Sequence, residues 1–336
     1  MIVEPSGAGE LESLAAQLRS HPALRAKAEI GLVSEVLGRH GWVEGPGDDG
    51  AVIDLGGGAP DDPARVVACG EALLPAFVAA DPYGAGIAAV LTNVNDLAAM
   101  GATPLGIVDT VVGSADLARA ALRGMRDAAA WYDVPLVGGH LTIHTGGPAL
   151  SAFGIGRVGA VLSSTRVALG QSLIVAACLD GAMRPDFPFF RSFDRRAHRM
   201  AGDVRLLPAI AASGACVAAK DVSMAGLIGS LAMLLEWSGL GATVDLAELP
   251  RPPGVALDAW LTCFPAFAFL LCCPPGRENE CVAAFHARGL AAAVVGSIDD
   301  SAEVAVRSQG RRAVVLDLSA TAVTGLAKWS RPPAAP

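Results

Sequence analysis

Residues 84–100 read as one helix with apolar side chains on every face, and a carboxylate lies inside it. Ala88, Ala89, Leu91, Leu97, Ala98 and Met100 leave no polar stripe for water. Such a helix belongs inside a domain rather than on its surface. The stretch Asn93-Val94-Asn95-Asp96-Leu97-Ala98-Ala99-Met100-Gly101-Ala102 therefore carries two amides and Asp96 into an apolar interior. Burying an ionised Asp96 alone is costly, so it must be paired, hydrogen-bonded or bound to a metal. Either these polar residues stitch and cap a helix, or they belong to a site. The distribution of the other acids bears on that choice.

A chain of 336 residues with 52% hydrophobic content can bury two cores of ordinary size. Its net charge of -8, without a basic stripe and with few aromatics, argues against nucleic acid as the partner and for a small-molecule protein. No apolar run of about eighteen residues appears, so no membrane span is expected. Met1-Ile2-Val3-Glu4-Pro5 lacks the basic and then apolar order of a secretory signal, and a cytoplasmic location is expected. The 7 cysteines include no C-x-x-C pair, which speaks against zinc or dithiol chemistry and for packing roles. Cys272-Cys273 closes an apolar run, 267–271, that reads as a buried strand.

Residues 1–40 read as a helical lead-in, with helices over 11–18 and 24–37, Pro22 opening the second and Gly38 ending it. A first domain is expected over 41–163. The Gly-rich loop 41–50 ends in Asp48-Asp49 and feeds a strand over 51–55; after the turn 56–62, a strand over 65–69 delivers Glu71 at its end. The apolar helix follows, then a strand over 103–112. Ser114 is placed to cap a helix over 115–132, and 134–137 leads into Gly138-Gly139-His140-Leu141-Thr142 before a long strand over 149–161. The order is strand, strand, helix, strand, helix, strand, strand.

A second domain is expected over 164–329, with a frayed tail over 330–336. A strand over 173–177 precedes a Pro- and Phe-rich segment, 183–190, and a basic run of Arg191, Arg195, Arg196, His198 and Arg199. That run is either a solvated helix face or a set of forks for phosphate or carboxylate. A helix over 204–213 and a strand over 216–219 then lead to Lys220-Asp221-Val222-Ser223-Met224-Ala225-Gly226, which opens an apolar helix over 227–237. Further strands and helices alternate beyond it.

Asp48, Asp49, Glu71, Asp96 and Asp221 each fall where a strand or helix meets a glycine-containing turn. Carboxylates from separate elements that converge there call for a cation, and Mg2+ prefers oxygen ligands and bridges carboxylates to nucleotide phosphates. No P-loop and no G-x-G-x-x-G opening a helix after a strand is present, so a nucleotide would be held mainly through metals. Two glycines before His140 permit close approach of backbone to a ligand, which raises the interest of that histidine.

Gly47-Asp48-Asp49-Gly50-Ala51-Val52-Ile53, the Asn-x-x-Asp-Leu-Ala-Ala-Met-Gly segment from Asn93, Val137-Gly138-Gly139-His140, and Lys220 to Leu227 together resemble the aminoimidazole ribonucleotide (AIR) synthetase superfamily. This superfamily also contains thiamine-monophosphate kinase, selenophosphate synthetase and the hydrogenase maturation dehydratase. The resemblance runs in order over residues 47–296. It implies an α/β (α+β) fold of two domains. The N-terminal domain would form a β-barrel across a homodimer, and a C-terminal α/β domain would follow. It also implies ATP bound with Mg2+. Residue by residue, Asp49, Glu71, Asp96 and Asp221 match metal and phosphate positions, with Asp48, Asn93, Asn95, Gly138, Gly139 and His140 around the nucleotide.

Departures from the superfamily narrow the substrate. Glu71 stands where an Asp is usual, and its extra methylene displaces any metal it holds. His140 stands where the kinase has Asp and AIR synthetase has Glu; selenophosphate synthetase also has His. The Cys-x-x-Lys loop of selenophosphate synthetase, the Asp-Gly-Val-Gly-Thr-Lys segment of AIR synthetase, the C-terminal Pro-Arg-x-Cys of the dehydratase and the Gly-Gly-Glu-Asp-Tyr segment of the kinase are all missing. The resemblance thus implies an ATP- and Mg2+-dependent paralogue that phosphorylates an oxygen of a small metabolite, an anionic one if the arginines of 191–199 bind it. Lys220 and the arginines of 191–199 would offset phosphoryl or substrate charge, and His140 would serve as general base or phosphate contact. Two rivals stand beside it: a non-catalytic nucleotide-binding or assembly subunit that keeps the fold, and a metal-dependent hydrolase that uses no nucleotide.

Overall fold

The computed structural model describes residues 7–37, 44–45, 47–56 and 65–326. The expected helix end at Gly38, loop residues 41–43 and 46, most of the turn after Gly56 and the tail 330–336 lie outside the described residues. Two compact units are present. The first comprises Met1–Asp48, Leu162–Arg195 and Ser213–Pro336, and the second comprises Asp49–Val161 and Arg196–Ala212.

The chain opens with α1 (Ala8–Ser20), α2 (Pro22–Arg25) and α3 (Gly31–Leu37). Leu11, Leu14, Ala15 and Leu18 share one face of α1 at helical spacing, and all four lie in the first unit's core. Arg19 donates to the carbonyls of Val314 and Val315 at 2.7 and 2.8 Å. The helical lead-in is therefore part of that core rather than an appendage.

The second unit continues as β1 (Ala51–Asp54), β2 (Arg65–Ala72), α4 (Pro75–Ala80), α5 (Pro82–Ala99), β3 (Ala102–Gly113), α6 (Ala115–Tyr132), β4 (Leu136–Ile143) and β5 (Ala149–Val158). Apart from the short α4, this is the order read from the sequence. The strands form one sheet in the order β1-β2-β5-β3-β4. Only β3 and β4 run parallel, as a strand pair joined through a crossover helix must. Asp81 caps α5, its carboxylate accepting from the Gly84 N–H at 2.8 Å, and Pro82 fills the first turn. From Ala85 to Ala99 every residue but Thr92 is buried, as an all-apolar helix requires. One side of α5 lies on β2, β3 and β5, and another meets α6. A Cβ on Gly86 would strike the Ala121 carbonyl and one on Gly124 the Tyr83 carbonyl, so these helices touch backbone to backbone. Ser114 caps α6 as expected, accepting from the Leu117 N–H at 3.2 Å, and Asp133 closes the helix at φ 52°.

Beyond the second unit's sheet come β6 (Ser172–Ala177), β7 (Ala182–Met183), β8 (Phe189–Arg191), α7 (Phe193–Arg196), α8 (Met200–Val204), α9 (Leu206–Ser213), β9 (Ala218–Asp221), α10 (Gly226–Glu236), β10 (Gly241–Asp245) and α11 (Leu257–Thr262). The described chain ends with β11 (Phe264–Pro265), β12 (Ala268–Cys273), α12 (Glu278–His286), β13 (Ala291–Asp299), β14 (Glu303–Ser308) and β15 (Arg311–Asp317). The first unit holds a seven-stranded sheet, β15-β14-β10-β13-β6-β12-β9, and a small one, β11-β8-β7. Leu173, Val175, Leu227, Leu231, Val244 and Leu270 are among the side chains that fill its core.

The basic run divides on folding. Arg191 and Arg195 pair with Asp194 and Asp180 at 3.2 and 3.1 Å. Arg196 lies on no solvated face: it is buried in the second unit, gripping Asp203 of α8 through two bonds of 2.6 and 3.1 Å. Arg205 then ties the segment 196–212 to the end of α6 through the carbonyls of Tyr132 and Asp133, at 2.9 and 3.0 Å. All seven cysteines are free thiols and six are buried. Burial pushes Cys272 up to about 12, the behaviour of a packing residue rather than a nucleophile. Among the described residues no helix is long and apolar enough to cross a membrane.

Candidate functional site

Asp96 lies in the last turn of α5, a helix interior to the second unit, and is buried with Asn93 and Asn95. Asp49 follows Gly47, whose φ of 86° turns the loop into β1. Asp49 and Asp96 present carboxylate oxygens within 4.8 Å of one another. At their side lies Cys69 of β2. Its thiol is pushed far up, first by burial and then by the charges of Asp96, Asp49 and Glu71, so the acids act on one small region. Cys69 donates to Asn93 Oδ1 at 3.3 Å, while Asn93 Nδ2 donates to the carbonyls of Ala89 and Ala152 at 2.8 and 3.2 Å. The Asn93 amide is thus committed to joining α5 to β2 and β5. It helps position the helix that carries Asp96.

Register decides which other candidates share that face. Glu71 pairs with Ala152, Ala152 with Asp109, and Asp109 with Gly139, one row across four strands. Side chains along such a row share a face, and buried Ala152 identifies it as the face covered by α5. His140 is one residue further on β4, in the row of Thr110, Ser151 and Ala72. The sheet therefore places His140 on the face opposite Glu71, three strands away. Gly138 shares the His140 face and faces open space. Gly139 has another duty: a Cβ there would lie 2.7 Å from Asp109 Oδ1.

In the first unit, Asp48 parts from its neighbour. Its two oxygens accept from Ser163 Oγ at 2.6 Å and the Ser164 N–H at 2.7 Å, which anchors the loop before β1. Lys220 and Asp221 end β9 and are both buried. Lys220 pairs with Leu270 and Asp221 with Phe269, so the two project to opposite faces.

The chain carries two family domains in tandem. Residues 47–158 match the N-terminal domain, and residues 191–309 the C-terminal domain, of AIR synthase related proteins. The chain belongs to that family. An uncharacterized protein of Synechocystis is 34% identical over 283 residues, covering 82% of this chain and 88% of that one. Among solved structures, PurL of Thermotoga maritima complexed with AMPPCP superimposes with a TM-score of 0.73 at 16% identity. That alignment covers 96% of this chain and 52% of PurL, so the chain spans about half of that relative. ThiL complexed with AMPPCP and TMP gives 0.62 at 17% identity, over 85% of this chain and 96% of ThiL.

An AIR synthase related chain with this donor set suits a hard cation. Asp49 and Asp96 offer oxygen only, as Mg2+ prefers, and burial pushes the neighbouring Cys69 thiol up, away from the thiolate that softer metals favour. Two residues of the region escaped the sequence reading. Cys69 carried no signal, since a single cysteine in a strand is ordinary core. Asp109 carried one: a lone carboxylate within Ile107-Val108-Asp109-Thr110-Val111 is the same anomaly that singled out Asp96.

Proposed function

We propose that this AIR synthase related protein binds ATP with Mg2+ and transfers a phosphoryl group to an oxygen of a small metabolite. The observation that carries this reading is the meeting of Asp49 and Asp96, two carboxylates from a loop and an interior helix. Asp49, Asp96 and Glu71 would hold the metal, which when bound neutralises charge on the triphosphate. Asp96 rides on a helix locked by Asn93, so its carboxylate is positioned before any ligand arrives. That PurL and ThiL were each solved with AMPPCP supports the nucleotide part of this assignment. Calorimetric unfolding with ATP, with Mg2+ and with both tests it: a rise in melting temperature only with both is expected. No rise overturns the reading, and a rise without turnover of any phosphate acceptor favours a non-catalytic nucleotide-binding subunit.

The same protein should be a homodimer in which two open sheets close into a barrel. Ile53, Phe153 and Ile155 project from the face opposite α5, where Phe153 is 47% exposed. An apolar sheet face with open edge strands demands a cover, and a second copy supplies one of matching shape. His140 lies on that face, which supports a role for it across the dimer rather than within one protomer. Light scattering should return twice the 34.0 kDa chain mass, and a monomer would contradict the barrel.

A further inference from the structure

Asp109 is 8% exposed in the middle of β3. Among the described residues it has neither a hydrogen bond nor an ion pair, unlike Asp48, Asp127 and Asp203, whose carboxylates all have partners. Its carboxyl leans over Gly139 of the edge strand β4, in space that any side chain at position 139 would fill. It shares a row and a face with Glu71, with only Ala152 between them. At the usual strand spacing the two acids rise from backbones roughly 10 Å apart, the span of a small metabolite. Burial alone pushes its carboxyl above the ordinary range, with no charged neighbour in play. A desolvated carboxylate without a partner lowers stability, and such a cost persists where a ligand recovers it.

We propose that Asp109 is a substrate-positioning residue that receives a positively charged nitrogen group, an ammonium or amidinium, of the phosphate acceptor. This inference rests on the phosphoryl-transfer reading and adds the substrate class. Glu71 and the Asp49–Asp96 pair mark the phosphoryl end of the site, and Asp109 marks the acceptor end. A carboxylate only accepts, and one largely withdrawn from water gains most from a cation with several donors. Neutral hydroxyl substrates would recover less, and anionic ones would be repelled.

Asp109→Asn separates this role from a structural one, because it keeps the shape and removes the charge. Without ligand, the variant should melt at the wild-type temperature or a few degrees above it; a fall of several degrees would show that the carboxylate holds the fold and would overturn the assignment. With ATP and Mg2+ present, agmatine and ethanolamine serve as cationic probes and malonate as the anionic control. Wild type should gain a further shift from at least one cationic probe and none from malonate. In Asp109→Asn the affinity for that probe should fall about tenfold or more, while the shift given by ATP with Mg2+ is unchanged. No cationic shift in the wild type, or an equal one in the variant, overturns the inference. Loss of the shift from ATP with Mg2+ in the wild type is a separate result, and overturns the underlying reading instead.

Discussion

Asp96→Asn is expected to abolish the stabilisation that ATP and Mg2+ together confer, while leaving the unliganded protein folded. In the wild type, about a hundredfold excess over the dissociation constant should add roughly 2.7 kcal/mol, a shift of a few degrees. Asn fills the same space at position 96 and keeps a hydrogen-bonding oxygen, but it brings no charge to a divalent cation. Asp96 is buried in the last turn of a helix whose neighbouring residues are themselves buried, so its carboxylate is held in place. The isosteric change leaves no cavity, and the unliganded variant should remain folded. Scanning calorimetry of both proteins decides the matter. A shift of wild-type size in Asp96→Asn would mean that the cation lies elsewhere.

The second large effect concerns the fold. Asp203→Ala should destabilise the second unit by about 3–5 kcal/mol, because it leaves Arg196 buried without its counter-ion. The pair is deep, with side chains 7% and 1% exposed, and it joins through two bonds rather than one. It also fixes α8 beside Tyr132, whose hydroxyl is pushed up first by burial and then by the Asp203 charge. Urea unfolding of Asp203→Ala should show the loss directly. The double variant Arg196→Met with Asp203→Leu should restore most of it, since an apolar pair of similar volume requires no desolvated charge. A loss below about 1 kcal/mol in the single variant would mean that water reaches Arg196 and the pair behaves as a surface bridge.

Local rules carried a good part of this structure. An interior helix over 84–100 follows from apolar residues on all sides, the Ser114 cap from a hydroxyl before a periodic run, and the strand order from alternating patterns between glycine turns. These depend on contacts within a few residues, which a sequence displays in full. Asp96 could be singled out as a candidate site residue for the same reason: a charge in an apolar helix is a local contradiction. Asp109, a lone carboxylate in an apolar strand, is a contradiction of the same kind.

Contacts within a few residues thus set which elements form and mark where a charge is out of place. Which charges meet is settled by packing between segments far apart in the chain. The face occupied by His140 depends on the register of β3 with β4 and β5, and a shift of one residue would reverse it. Arg196 reads as a solvated arginine until α8 brings Asp203 to it, and Asp48 as a ligand until Ser163 and Ser164 claim both its oxygens. Strand parity and ion pairing are properties of partners distant in the chain, and no periodicity within a single segment records them.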